Sequence, residues 1–392
     1  MMQPNLQEAD AEQALPMSAF IFEKPQTIRM EAPLLVGVLE GEGIGPEVIG
    51  VALRLLHALE GICGLKFDLC FGGAIGVQAK TQNGKPLPEE IITFCRNVFS
   101  QGGAILNGPG GDRYVYDLRV QFDLFCKLSP LRVSPELANA GRMKPDFVRD
   151  VDILLVRENV SGFYQGQWSE SATESDGIQA EQSCLYTEKQ VRRIVQVAAH
   201  TAKTRRGKLS VVVKDGGVPT ISKLWRDCAV QIAQQADIEY SILNIDYAAY
   251  KLIQHPHEFD VIVAPNLFGD VLGDLGSVLL GSRGLSFSGN FAANGAAVYQ
   301  TNHGSAYDLV GKNEANPVGQ IYSMAMMLRE SFGLANEARL LEDAVAQVWQ
   351  RGWRTADLAE EGCKVVGTRE MGDLICDALI ELSSSLVGNR AL

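Results

Sequence analysis

The chain has 392 residues, enough for two domains and a large buried core. Apolar residues make up 46% and charged residues 21%, a globular composition that excludes disorder, collagen and coiled coil as the main state. Lys and Arg number 35 against 47 Asp and Glu, and the net charge of −12 argues against a nucleic-acid partner because it repels phosphate backbones.

Residues 1–32 carry Glu8, Asp10 and Glu12 and have no basic stretch followed by an apolar one. They read as a polar N-terminal extension, expected to be mobile, and not as a secretory signal. The next segment, 34–39, is a short apolar run that predicts a strand. Gly41-Glu-Gly-Ile-Gly-Pro46 follows it and opens a helix with Val48, Val51, Leu55 and Leu59 on one face. A strand at 67–71, a helix at 88–99 and a strand at 104–106 come next, closed by the turn at 107–111.

Further buried strands are expected at 151–156, 209–213 and 261–264, with a helix at 188–205. Residues 165–183 are polar, contain four acids and no Lys or Arg, and read as a protruding loop or arm. Helices are expected at 317–332, 337–351 and 368–384. Strands alternating with helices predict an α/β fold with a mainly parallel sheet, and the lack of a linker or internal repeat predicts interwoven domains. No run of about 18 apolar residues occurs, so no membrane-spanning helix is expected. The eight cysteines form no C-x-x-C pair and fall in apolar stretches, the pattern of reduced, buried thiols in a cytoplasm.

Four groups of residues carry chemistry. The glycines at 41, 43 and 45 could cradle a phosphate, but Pro46 breaks the G-x-G-x-x-G spacing, and a tight strand-to-helix turn is the simpler reading. Asp270 and Asp274 stand one turn apart at a helix start. Like charges so placed repel, and a hard divalent cation would offset that, while acids facing solvent near a helix N-terminus are the alternative. The loop Thr301-Asn-His-Gly-Ser-Ala-Tyr-Asp308, followed by Asn316, suits close approach to a ligand, with an acid able to accept from a ribose diol. A surface loop capping the next helix is the alternative. Arg113, Arg119, Arg157 and Lys214 are isolated cations, fit either for carboxylate recognition or for ordinary salt bridges. Tyr164 is a proton donor or a packed aromatic.

Together these segments resemble the isocitrate/isopropylmalate dehydrogenase family of β-decarboxylating dehydrogenases, over about residues 34–379. The most specific parts are 266–284 and 303–316, supported by 41–48, 118–125, 156–159 with Tyr164, and 354–358. The resemblance implies a two-domain, non-Rossmann α/β fold with a large mixed sheet. Residues 33–124 with 282–392 would form the cofactor side, and 125–281 a middle domain with a dimer arm at about 165–185. It further implies a homodimer, a cytoplasmic location, NAD and Mg or Mn as cofactors, and oxidation of a malate-type 2-hydroxy acid with loss of its β-carboxylate.

By the same resemblance Asp270 and Asp274 would be metal ligands, with Asp246 supplied by the other subunit. Arg119 and Arg157 would hold the malate carboxylates and Tyr164 would protonate the enol. His303, Gly304, Ser305, Ala306 and Asn316 would line the adenosine side, and Asp308 would select NAD over NADP.

The sequence departs from the family in four places. Ser129 stands where a further carboxylate-binding Arg is usual, and Arg113 or Arg132 is a candidate to replace it. In Lys214-Asp-Gly-Gly-Val218 the family's proton-shuttle Lys is either Lys214, favoured because the preceding strand fixes its position, or Asp215. Arg113, Val115, Tyr116 and Asp117 occupy the segment that reads the substrate's variable group, so Arg113 and Tyr116 are candidate substrate ligands for a polar or aromatic substituent. Arg283 replaces an apolar residue. These departures also fit a non-catalytic or regulatory paralogue, and a tartrate-like dehydrogenase uses the same residues.

Overall fold

The structure is a computed structural model that describes residues 17–19, 21 and 33–390. Its strands are β1 (Leu34–Leu39), β2 (Phe67–Phe71), β3 (Ala104–Asn107), β4 (Cys126–Arg132), β5 (Asp152–Glu158), β6 (Trp168–Thr173), β7 (Gly177–Gln182), β8 (Lys208–Val213), β9 (Glu239–Asn244), β10 (Val261–Ala264), β11 (Phe287–Phe291) and β12 (Ala297–Thr301). Ten of them form one sheet in the order β2-β1-β3-β12-β11-β4-β5-β10-β8-β9. Most neighbours are parallel, and β4 and β11 run antiparallel to the strands beside them, which makes the sheet mixed.

Strands β1 and β10 are continuous apolar runs because each is paired on both sides and covered by helices. The helices Gly45–Cys63, Glu89–Ser100, Glu188–Lys203, Val318–Phe332 and Ala335–Gln350 lie where apolar periodicity places them. Thr187 and Gln190 close a capping box at the start of Glu188–Lys203. The helices Tyr114–Gln121, Pro219–Ala236 and Ile245–Gln254 and the strands β4, β9, β11 and β12 are additions to the sequence reading.

The polar stretch at 165–183 is an antiparallel hairpin, with Trp168 opposite Gln182 and Thr173 opposite Gly177. It stands in solvent, and Trp168 and Ile178 are 62% and 74% exposed. The cysteine reading needs correction. All eight are free, but only Cys95, Cys126 and Cys228 are buried and Cys184 is exposed. Apolar neighbours in sequence do not bury a thiol at a strand edge or hairpin base. Among the described residues no helix is long and apolar enough to cross a membrane.

Most of the N-terminal extension lies outside the described residues. Ser18 and Ile21 are buried, and the Ser18 amide donates to Glu330 Oε2 at 2.8 Å. Burial pushes the Glu330 carboxyl above its ordinary range. A raised folded pKa favours the protonated fold, so this contribution is complete below the unfolded value of about 4.3 and is lost as pH rises through the folded value. Glu330→Gln is therefore expected to raise Tm relative to the wild type by an amount that grows from pH 4 to pH 8. Parallel thermal melts across that range check it, and a constant or shrinking difference would count against it.

Candidate active site

The centre of the site is the end of β5 and the start of the helix Asn266–Leu280. Arg157 has a side chain only 3% exposed, with Nε and Nη2 donating to Asn266 Oδ1 at 3.1 and 2.7 Å. Its Nη1 donates to Asp270 Oδ1, and the Tyr164 hydroxyl donates to Asp270 Oδ2 at 2.9 Å. Gly269 permits this approach, since a Cβ there would lie 2.8 Å from Arg157 Cγ.

Burial would raise the Asp270 carboxyl, but Arg157, Lys127, Tyr164 and Arg119 outweigh it and hold the group below its ordinary range. Burial and Asp270 push the Tyr164 phenol up, so it keeps its proton at neutral pH. Arg119 is buried, lies 5.4 Å from the Tyr116 ring centroid, and its Nε has no partner. Burial and the neighbouring Arg157 bring its pKa down to about 10. An orphaned donor on a buried guanidinium is what a missing anion leaves behind.

Tyr116 meets Tyr164 edge-on at 5.3 Å, so it walls the same space. Arg113 is engaged elsewhere. Its Nε donates to Asp117, Nη1 to the Tyr164 carbonyl at 3.0 Å and Nη2 to Gln165 Oε1 at 3.2 Å, and its guanidinium lies 4.7 Å from the Trp168 ring. It fastens the helix Tyr114–Gln121 to the hairpin base.

The three aspartates fall into two places. Asp270 belongs to the arginine cluster. Asp274, one turn on, receives Arg283 Nη2 at 3.1 and 2.9 Å, which explains the polar residue at 283. Asp246 accepts from Lys214 Nζ at 2.7 Å, and that hydrogen bond lowers its pKa. Asp215 pairs with Arg226, so Lys214 is the residue directed to Asp246. Among the described residues no group of three or more His, Cys, Asp or Glu gathers as a metal site. Asp270 and Asp274 fit a hard cation as two oxygen ligands, and a third must come from outside the cluster.

The loop after β12 packs on the glycine turn after β1. Ile44 N donates to the Ser305 carbonyl at 2.9 Å, and a Cβ on Gly43 would lie 1.9 Å from that oxygen. The turn thus supports the loop, as the simpler reading holds. Burial pushes the His303 imidazole down, and its Nε2 is buried without a partner. Gly304 has open space on its Cβ side, and Ala306 adopts φ 43°. Asp308 is exposed and unpaired among the described residues. Asn316 accepts from Val318 N at 3.0 Å and donates to Asp357 at 3.1 Å. An orphaned imidazole nitrogen next to an open backbone leaves this loop with a polar atom free for a ligand. Two further site residues escape a sequence reading: Asn266, which holds Arg157, and Lys127, buried in β4 opposite Arg157. The only signal for Lys127 is a lysine inside the apolar run Leu124-Phe-Cys-Lys-Leu-Ser129.

A large mixed sheet with guanidinium groups and helix carboxylates at its centre defines a charged site in an α/β protein. The chain belongs to the isocitrate/isopropylmalate dehydrogenase family, which matches residues 35–375. It is 39% identical to the 3-isopropylmalate dehydrogenase of Carboxydothermus hydrogenoformans over 365 residues, covering 89% of this chain and 96% of that one. The corresponding enzyme of Geobacillus kaustophilus is 38% identical over 362 residues, with 89% and 96% covered. The crystal structure of isocitrate dehydrogenase from Methylococcus capsulatus superposes with a TM-score of 0.79 at 30% identity, covering 88% of this chain and 99% of that one. Family membership supports oxidative decarboxylation of a hydroxy acid.

Proposed function

We propose that the protein is an NAD- and divalent-metal-dependent dehydrogenase of a substituted malate, decarboxylating its product. The observation that carries this reading is the Arg119, Arg157, Tyr164 and Asp270 cluster, in which a buried guanidinium donor lacks a partner. When bound, the nicotinamide accepts the hydride and the cation, Mg or Mn, polarises the substrate's hydroxyl and keto oxygen.

Arg119 and Arg157 bind and orient the two carboxylates. Lys214 takes the hydroxyl proton, and Tyr164 gives its proton to the enol carbon left when the β-carboxylate departs as CO2. Tyr116 borders the substituent, and Arg113 holds that wall in place. Asp270 and Asp274 hold the cation together with Asp246 of a second subunit. A homodimer is supported by the lack, among the described residues, of a third carboxylate gathered with Asp270 and Asp274, and by the exposed hairpin. His303, Gly304, Ser305, Ala306 and Asn316 receive the adenosine, and Asp308 accepts from the ribose diol and disfavours a 2′-phosphate. The strand order supports two domains, since β2, β1, β3, β12 and β11 come from 33–124 and 282–392, and the other five from 125–281. Eight free cysteines support a cytoplasmic location.

The test is NADH formation from NAD and Mn2+ over malates substituted at carbon 3 with alkyl, carboxymethyl, hydroxyl and aryl groups. Turnover on one member, with NADP at least tenfold poorer, is the expected result. A protein that binds NAD and Mn2+ yet turns over no member would be a non-catalytic relative.

A further inference from the structure

Strand β4 carries a lysine into the centre of the site. Lys127 is 6% exposed and lies directly across the antiparallel β4–β5 pair from Arg157, on the same face of the sheet. Its ammonium makes no hydrogen bond or ion pair among the described residues, yet it stands close enough to Arg119, Arg157, Asp270 and Asp274 to feel each charge. Arg157 commits three of its five donors to Asn266 and Asp270, and Arg119 has a buried donor unspent. Three buried cations therefore gather about Asp270, with Asp274 also within reach of Lys127. Once a divalent cation engages Asp270, they lose even that neutralisation. Buried like charges without counter-charge are costly, and a polyanion occupying the space between them removes the cost. Ser129, two residues on and buried on the same face, is short and carries no charge.

We propose that Lys127 is a third cationic ligand for the carboxylates of the malate core, acting from β4 beside Arg157. This rests on the dehydrogenase reading above. Burial and the two guanidinium groups hold the lysine well below its ordinary pKa, and a carboxylate arriving beside it favours the protonated form.

Lys127→Met keeps the length of the side chain and removes the charge. With the wild-type enzyme's best substrate from the malate panel, the variant is expected to raise KM about 10- to 100-fold, the value of one charge-assisted hydrogen bond. Its kcat stays within a few-fold and its KM for NAD is unchanged. Unsubstituted malate, titrated into the Mn2+-loaded protein, shows the same loss. Because the variant relieves repulsion, its ligand-free Tm equals or exceeds the wild type's. Lys127→Arg, which keeps the charge, retains more of the affinity than Lys127→Met. An unchanged KM, or a loss confined to NAD binding or to kcat, would overturn the assignment. A wild-type protein with no turnover on the panel overturns the dehydrogenase reading first, and this proposal with it, before any variant is made.

Discussion

Arg157→Met is expected to reduce kcat/KM by about 10³-fold or more while the protein still folds. The estimate counts a bidentate carboxylate contact at about 4 kcal/mol of transition-state binding, close to three factors of ten. The cost to the fold is smaller. The variant strands Asn266 Oδ1, a buried acceptor, and takes from Asp270 one of its two hydrogen-bond partners, leaving Tyr164. An unsatisfied buried acceptor costs about 1–3 kcal/mol. The Asp270 side chain is 41% exposed, so water replaces much of what it loses. Relief of repulsion on Arg119 and Lys127 offsets part of the remainder. Steady-state kinetics beside a thermal melt separate the two effects. Activity within tenfold of wild type would mean that Arg157 only staples β5 to the helix Asn266–Leu280.

Both Asp270 and Arg157 were legible in the sequence, for different reasons. The i, i+4 spacing of Asp270 and Asp274 after an apolar strand is local information, and a helix does form there. Arg157 closes a strand, where side chains reach a sheet's crevice. What sequence could not supply is which strands are neighbours. Lys127 faces Arg157 only because β4 runs antiparallel to β5 in one register, and a shift of one residue would turn it to the opposite face. Its position in an apolar run hid it. Arg113 and Arg132 were the candidates to replace the cation missing at 129, and the structure turns both to other partners or surroundings. The Arg113 donors go to Asp117, Tyr164 and Gln165, and Arg132 is exposed at the far end of β4.

The ambiguity at Lys214 has the same origin. Strand β8 pairs in parallel with β9, with Val213 beside Asn244, so the residues just beyond both strand ends meet. Lys214 then reaches Asp246, and Asp215 turns to Arg226. No counting along one strand reveals which residue of a later strand stands beside it. The glycines at 41 and 43 show the converse. Their positive φ angles of 78° and 60° were readable as a turn, but the contact that Gly43 permits with Ser305 joins segments more than 250 residues apart.

The two proton carriers give the second large effect. Lys214→Ala is expected to lower kcat by about 10³-fold, the middle of the range for a positioned proton carrier. Tyr164→Phe is expected to do the same at the other proton transfer, and it also withdraws a hydrogen bond from Asp270. Lys214 pairs with Asp246, and Arg157 and Tyr164 pair with Asp270. If each site combines one cluster from each of two subunits, a mixed dimer of the two variants has one site with both defects and one with neither. Random exchange of equal amounts gives half mixed dimers, so about a quarter of wild-type activity returns. If instead each chain completes its own site, every site keeps one defect and nothing returns. Mixing the purified variants through reversible denaturation and assaying NADH formation therefore reads the architecture directly, and recovery can arise only from sites shared between subunits.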